Sequence, residues 1–302
     1  MRIKWKIKLL LLFAVSTFTY GQSDIFLTQQ WFSRINMNPA AIGNNASVDV
    51  FLLNRQQWVG FDGAPKTSIL NVHSYFDDFK SGLGLSLLYD KIGVSRQTVN
   101  AMFSYAHNVV LFEEISLVLG LAGGLFNSNW DPNKNRFPDD TTIDPDLLPD
   151  YSSLTSFDFN AGMELNGHNT TLGLSFTHLL NSVAETGKPA REFYSYLRYR
   201  WIINRDMYLA PGVMYRYSNN SSLLDFNVTG HLMRSYWAGF SFRPNNAISM
   251  MLGAEYGNFR IGYAYDRSIG ATASLAKNTH EVMLFVRLFK QRQERQTTRF
   301  LY

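Results

Sequence analysis

Three groups of residues in this sequence have types and spacings that could carry chemistry. The first is a run of carboxylates, Asp131, Asp139, Asp140, Asp144, Asp146 and Asp150. Closely spaced hard oxygen ligands suit calcium. No EF-hand spacing is present, and Lys134 and Arg136 offset part of the charge, so a solvated loop is the plainer reading. The second group is the six histidines, which are scattered. His280-Glu281 lacks the second histidine of a zinc-binding helix. His178 and His280 fall on otherwise apolar faces near strand ends, which suggests a membrane interface. The third group is RQQWVGFDGAPKT, Arg55 to Thr67: a cation, two amides and a tryptophan, then Asp-Gly and proline. It could be a catalytic loop, a ligand clamp or a turn. The chain has no cysteine, which removes disulfides, thiolate metal sites and a cysteine nucleophile. No Ser-His-acid set is marked out by position. The expectation is a non-enzyme with no cofactor and no metal.

Whatever positions these residues must follow a leader. Arg2, Lys4, Lys6 and Lys8 precede the apolar run Leu9 to Val15, and Thr19-Tyr20-Gly21 forms a small-residue exit. This pattern predicts a secretory signal peptide over residues 1–21. The leader carries four cations and no acids, so its removal takes the formal charge of +4 to zero. That gives no reason to expect a nucleic-acid partner. Charged residues are only 17% and aromatics reach 15%, against a usual charged share of about 25%. No later stretch is long and apolar enough for a spanning helix.

The periodicity is two. Leu83, Leu85, Leu87 and Tyr89 oppose Gly82, Gly84, Ser86 and Asp90. Phe157, Phe159, Ala161, Met163 and Leu165 oppose Asp158, Asn160, Gly162 and Glu164. Phe259, Ile261, Tyr263 and Tyr265 oppose Arg260, Gly262, Ala264 and Asp266. About fourteen such segments, each near the 9–11 residues of a tilted membrane strand, run from residue 47 to 289. Their strong aromatic faces favour a membrane barrel over a soluble sandwich. The predicted fold is therefore an all-β outer-membrane β-barrel of about 14 antiparallel strands, with the lipid bilayer as its solvent.

Connections alternate between long and short, as in outer-membrane barrels. This predicts long loops outside, short turns in the periplasm, and both chain ends periplasmic. Residues 22–46 precede the barrel and could plug its lumen. Residues 290–302 form a basic tail in the periplasm. The charges predicted to face the lumen have mixed signs, including Asp158, Glu164, Arg198, Arg216, Asp225, Arg260, Glu281 and Arg287. That predicts salt-bridged packing inside a filled barrel, not a single-sign selectivity ring.

In the opening stretch Asp62-Gly63 is a turn pair and Pro65 stops a strand, so residues 47–57 and 66–76 form the first hairpin. Trp58 and Phe61 suit an aromatic belt. Three bulky polar residues in a row, Arg55, Gln56 and Gln57, cannot all face the lumen.

Together with Asn38-Pro39-Ala40-Ala41-Ile42-Gly43, this stretch resembles the hallmark of the PorP/SprF family of Bacteroidetes type IX secretion outer-membrane proteins. The family carries NPA-x-x-G and R-x-Q-W-x-G-F-x-G-A-P elements. Asn38, Pro39, Ala40 and Gly43 match the first. Arg55, Gln57, Trp58, Gly60, Phe61, Gly63, Ala64 and Pro65 match the second. The resemblance implies secretion, not catalysis. Its implied partners are other type IX envelope components, or a secreted adhesin with a type B C-terminal sorting domain, as in gliding motility. It makes Asn38, Pro39, Gly43, Arg55, Gln57, Trp58, Gly60, Phe61, Gly63 and Pro65 the candidate partner or plug contacts. An outer-membrane porin or hydrophobic-solute transporter is the alternative.

Overall fold

The computed structural model describes residues 25–42, 47–131, 152–180, 189–218, 221–233, 235–270, 273 and 278–288. The expected signal peptide, Gly43, the acidic stretch beyond Asp131 and the basic tail lie outside them. Among the described residues no helix is long and apolar enough to cross a membrane.

The strands are β1 (Val48–Gln56), β2 (Lys66–Phe76), β3 (Ser81–Ile92), β4 (Arg96–Phe112), β5 (Ile115–Trp130), β6 (Ser152–Asn166), β7 (Thr170–Thr177), β8 (Glu192–Tyr199), β9 (Trp201–Ile202), β10 (Met207–Ser218), β11 (Ser221–Leu232), β12 (Tyr236–Arg243), β13 (Ala247–Tyr256), β14 (Phe259–Ser268) and β15 (Asn278–Leu288). Each pairs antiparallel with its neighbours, and β1 closes onto β15. The two-residue β9 prolongs β8 alongside β10, so the wall is a closed 14-stranded barrel. Closure leaves no unpaired edge in the bilayer, where an unsatisfied backbone group costs several kcal/mol.

The period-two pattern decides which way the wall faces. Leu83, Leu85, Leu87 and Tyr89 point outward, while Gly82, Gly84, Ser86 and Asp90 are buried inside. Phe157 and Phe159 point outward, and Asp158, Asn160 and Glu164 inward. This inverts a soluble protein: the apolar face meets lipid and the polar face meets the lumen. Two ladders outrun the expected spans. β4 and β5, of 17 and 16 residues, run on to Phe112 and Trp130 and pair through Gln97↔Asn129 and Val109↔Leu117. Past the expected spans the strict alternation lapses: β5 runs on through Asn127-Ser128-Asn129-Trp130, and β4 through Asn108-Val109-Val110-Leu111-Phe112.

Val48 pairs with Leu288, so the first strand begins and the last ends at one rim. That rim carries the short turns, at 77–80, 113–114, 167–169 and 257–258. The opposite rim carries the hairpin 57–65 and the connections at 131–151 and 178–191.

Candidate functional site

Residues 25–42 are too apolar for a solvated leader and too short to form a domain. They fill the lumen. Phe26, Leu27, Trp31, Ile35, Met37, Ala40 and Ile42 are all buried. Each of the three apolar clusters among the described residues includes residues of this segment, packed with wall residues such as Phe51, Tyr196 and Val118. The core of the barrel is thus the interface between segment and wall. The segment starts at the long-connection rim, where Phe26 lies under Arg243, the last residue of β12. It descends to Ile42 beside Gly82 at the start of β3. The described N-terminal residues and the end of β15 therefore sit at opposite rims.

Two polar anchors hold it. At the upper one, Arg55 on β1 and Arg243 on β12 face Asp266 on β14 and Glu281 on β15. Arg55 donates to Asp266 at 2.8 Å and also to Glu281. Arg243 lies 3.1 Å from Asp266. The two carboxylates take the segment's donors. Glu281 accepts the backbone N–H groups of Thr28 at 2.8 Å and Gln29 at 3.0 Å. Asp266 accepts the Thr28 hydroxyl at 2.7 Å. The two N–H groups open the 3-10 turn Gln30–Phe32, where backbone donors have no partner within the turn. All four charges are buried, so each depends on the others and on these bonds.

The lower anchor uses the first hallmark element. Arg34 pairs with Glu164 on β6 at 3.1 Å, and the Tyr196 hydroxyl donates to the same carboxylate at 2.5 Å. Asn38 donates to the Tyr196 hydroxyl and to the Met163 carbonyl, both at 3.0 Å. Its side-chain oxygen accepts the Ala40 N–H at 2.9 Å, capping the 3-10 turn Pro39–Ala41. Proline at the first position of that turn has no N–H to leave unsatisfied. The Asn-Pro-Ala order is thus a cap, a rigid start and a small residue that sits tight on the wall.

The wall makes room with glycine. A Cβ on Gly120 would sit 2.2 Å from the Ala40 nitrogen, and one on Gly162 2.2 Å from the Asn38 side-chain oxygen. Gly82 and Gly84 meet Ile42 and Ile35 in the same way, each at 2.4 Å. Lumen-facing glycines are therefore the imprint of the segment on the barrel.

The second hallmark element divides at the rim. Arg55 points inward and is buried, while Gln56 points out. The Gln57 N–H donates to the Pro65 carbonyl at 3.0 Å, closing the hairpin. Trp58 takes a left-handed φ of 54°, rare for a bulky residue, as the Val59 N–H reaches the Asn278 carbonyl at 2.9 Å. Gly63, at φ 76°, has its carbonyl bonded to the Gly93 N–H at 2.9 Å. The hairpin is thus tied to β15 on one side and to the β3–β4 turn on the other. Its tip stays exposed: Val59 is 50% and Phe61 59% accessible.

The structure brings Asn38, Pro39 and Arg55 to the segment–wall interface, and Gln57, Trp58, Gly60, Phe61, Gly63 and Pro65 to the rim. Asp266, Arg243 and Tyr196 are partners that sequence reasoning does not single out; the polar-face position of Asp266 was the available signal. His280 faces outward beside Tyr263. His178 does not belong to the interface as expected. Its ring nitrogen lies 2.7 Å from the lumen-facing Asp158, because the left-handed φ of 55° turns it inward. Among the described residues no cluster of three or more His, Cys, Asp or Glu could hold a metal.

One family fits both hallmark elements and the barrel around them. The model of the type IX secretion system membrane protein PorP/SprF family matches residues 19–286. The chain belongs to that family. This PorP/SprF protein is an outer-membrane barrel of the type IX secretion system. No curated protein matches it. Its fold is similar to that of the outer membrane protein Omp33 of Acinetobacter baumannii, at 9% identity and TM-score 0.50, covering 82% of this chain and 100% of that one. It is also similar to the CymD monoaromatic hydrocarbon channel, at 8% identity and TM-score 0.50, covering 89% and 94%. At such identities the likeness is one of fold alone.

Proposed function

We propose that this PorP/SprF protein is a non-enzymatic partner barrel. It supports export or surface retention of a secreted adhesin-like protein with a type B sorting domain, or attaches the secretion machinery. The long-connection rim faces outward and the short turns face the periplasm. The observation that carries this reading is the division of the hallmark. Its buried half, Asn38, Pro39 and Arg55, fixes the lumen segment, and its rim half presents Val59 and Phe61 on a braced hairpin. A braced apolar tip suits protein docking, where aromatic anchors carry most of the binding energy. A filled lumen favours this reading over a porin or hydrophobic-solute transporter.

Deleting the gene is expected to abolish surface display of one secreted protein. Phe61→Asp should do the same while the barrel still assembles, because the ring is exposed in the free protein. Normal display of every secreted protein in the deletion strain would contradict the proposal. Normal display in the Phe61→Asp strain would remove the hairpin from it.

A further inference from the structure

At the long-connection end of β1–β3 the outer wall carries two cations above a groove. The rung of the ladder nearest that rim reads His280, Gln56, Lys66, Lys91 and Gln97, from β15 across to β4. These side chains face outward, because their chain neighbours Arg55, Thr67, Asp90 and Glu281 are buried inside. Lys66 and Lys91 are direct cross-strand partners. Like charges so placed repel, and the flanking Gln56 and Gln97 bring no counter-charge. Asp90, the adjacent carboxylate on β3, points the other way and accepts the Thr67 hydroxyl at 2.6 Å. Among the described residues neither lysine forms an ion pair.

The next rung, towards the middle of the wall, brings Asn54, Ser68 and Tyr89, and the one after it Leu284, Leu52, Leu70 and Leu87. Asn54 donates to the Ser68 hydroxyl at 3.0 Å, which ties these two short polar side chains together. Beside Tyr89 and the leucines they leave a hollow. It is an open groove of about 550 Å³ on the outer face of the wall. Its lining includes Leu53 and Ile69, whose side chains are buried inside, so the groove reaches down to the backbone of the sheet.

The outward face of a membrane barrel is covered by lipid. An acidic lipid supplies both things this stretch lacks. Its phosphoryl group complements the lysine pair, and an acyl chain fills an apolar groove. Lysine stems lie along apolar surface while their ammonium groups reach the headgroup level. Basic residues at that level attract anionic headgroups.

We propose that this stretch is a site for one acidic lipid, with its phosphoryl headgroup between Lys66 and Lys91 and a chain in the groove below. The bridging anion turns a repulsive pair into a favourable one. A free phosphate would meet the lysines and leave the groove empty.

The test uses full-length protein in detergent, with bound lipid counted by native mass spectrometry. The probes are phosphatidylglycerol and phosphatidylcholine with the same chains. Saturable binding of one phosphatidylglycerol is expected, in preference to phosphatidylcholine. In Lys66→Gln/Lys91→Gln it should weaken about 30-fold, about five-fold for each lysine at a headgroup. Leu70→Trp, which fills the groove, should weaken it as well. Lys80→Gln, at the opposite rim, should match wild type. Inorganic phosphate at matched ionic strength should not displace the lipid. The heat-dependent gel shift confirms that each variant is folded. If the double variant does not fold, Lys66→Gln alone is measured, with about a five-fold loss expected. Equal binding by wild type and the folded lysine variant overturns the proposal. So does equal binding of the two lipids, an unchanged Leu70→Trp variant, an equal loss in Lys80→Gln, or displacement by phosphate.

Discussion

Arg55→Ala is expected to free the lumen segment and to be the most damaging single change in either hallmark element. Arg55 bonds to both Asp266 and Glu281, and Glu281 is fully buried. Removing the cation leaves two carboxylates with Arg243 as their remaining nearby charge partner. Breaking a buried pair in this way costs about 3–5 kcal/mol. The wall itself is secured by fourteen ladders of backbone bonds and by lipid. The loss therefore falls on the element with the fewest bonds, the segment anchored through Thr28 and Gln29. Trypsin reads this directly, because Arg34 is buried in the folded protein. In the Arg55→Ala variant, cleavage after Arg34 should become fast while the barrel band stays heat-modifiable. Adding Glu281→Gln should recover part of the protection, since it removes the uncompensated charge. Equal protease resistance in wild type and Arg55→Ala would show that the upper anchor does not hold the segment.

Gly120→Val is expected to expel the Asn38–Ala40 turn. A Cβ there would lie 2.2 Å from the Ala40 nitrogen, 2.4 Å from the Pro39 carbonyl carbon and 2.6 Å from the Ala40 Cα. All three are backbone atoms, and Gly120 is itself held between β4 and β6. Neither side can yield by a rotamer change. Ordinary overpacking costs about 1–3 kcal/mol, and a clash of backbone on backbone belongs at or above the top of that range. Valine suits a strand, so the ladder should persist and the turn should leave. Gly82 provides a scale for comparison. There the obstacle at 2.4 Å is the Ile42 side chain, which can rotate, so Gly82→Ala should be milder. Gly123→Ala is the control, since its nearest neighbour is the Phe159 ring at 3.2 Å. Protease sensitivity at Arg34 should rank Gly120→Val above Gly82→Ala, with Gly123→Ala near wild type. Wild-type resistance in Gly120→Val would contradict the close seat of the turn.

Much of the wall was legible because a membrane strand obeys one strict rule, apolar toward lipid on every second residue. Leu83, Leu85 and Leu87 satisfy it without exception, and so the strand run could be read directly. The ends of β4 and β5 were not legible, since the strict alternation lapses there. The lumen partners were harder still. Thr28 and Asp266 are separated by 238 residues, and nothing in a periodic pattern says which inward carboxylate faces which cation. The same gap explains why the hallmark looked like a single unit. Arg55 and Phe61 are neighbours in sequence, yet one belongs to a buried anchor and the other to an exposed tip. The clearest unread signal was glycine on the inner face. Gly82, Gly84, Gly120 and Gly162 occupy positions where a small polar residue would serve an empty lumen equally well. Only a segment pressed against them makes the missing Cβ necessary.

Residues 25–42 fill the barrel under the grip of the hallmark residues. Single-channel recording of the full-length protein in a planar bilayer tests it most directly. With heat-modifiable, fully inserted protein, near silence is expected from the wild type. A steady open-pore conductance from the wild-type protein would contradict it.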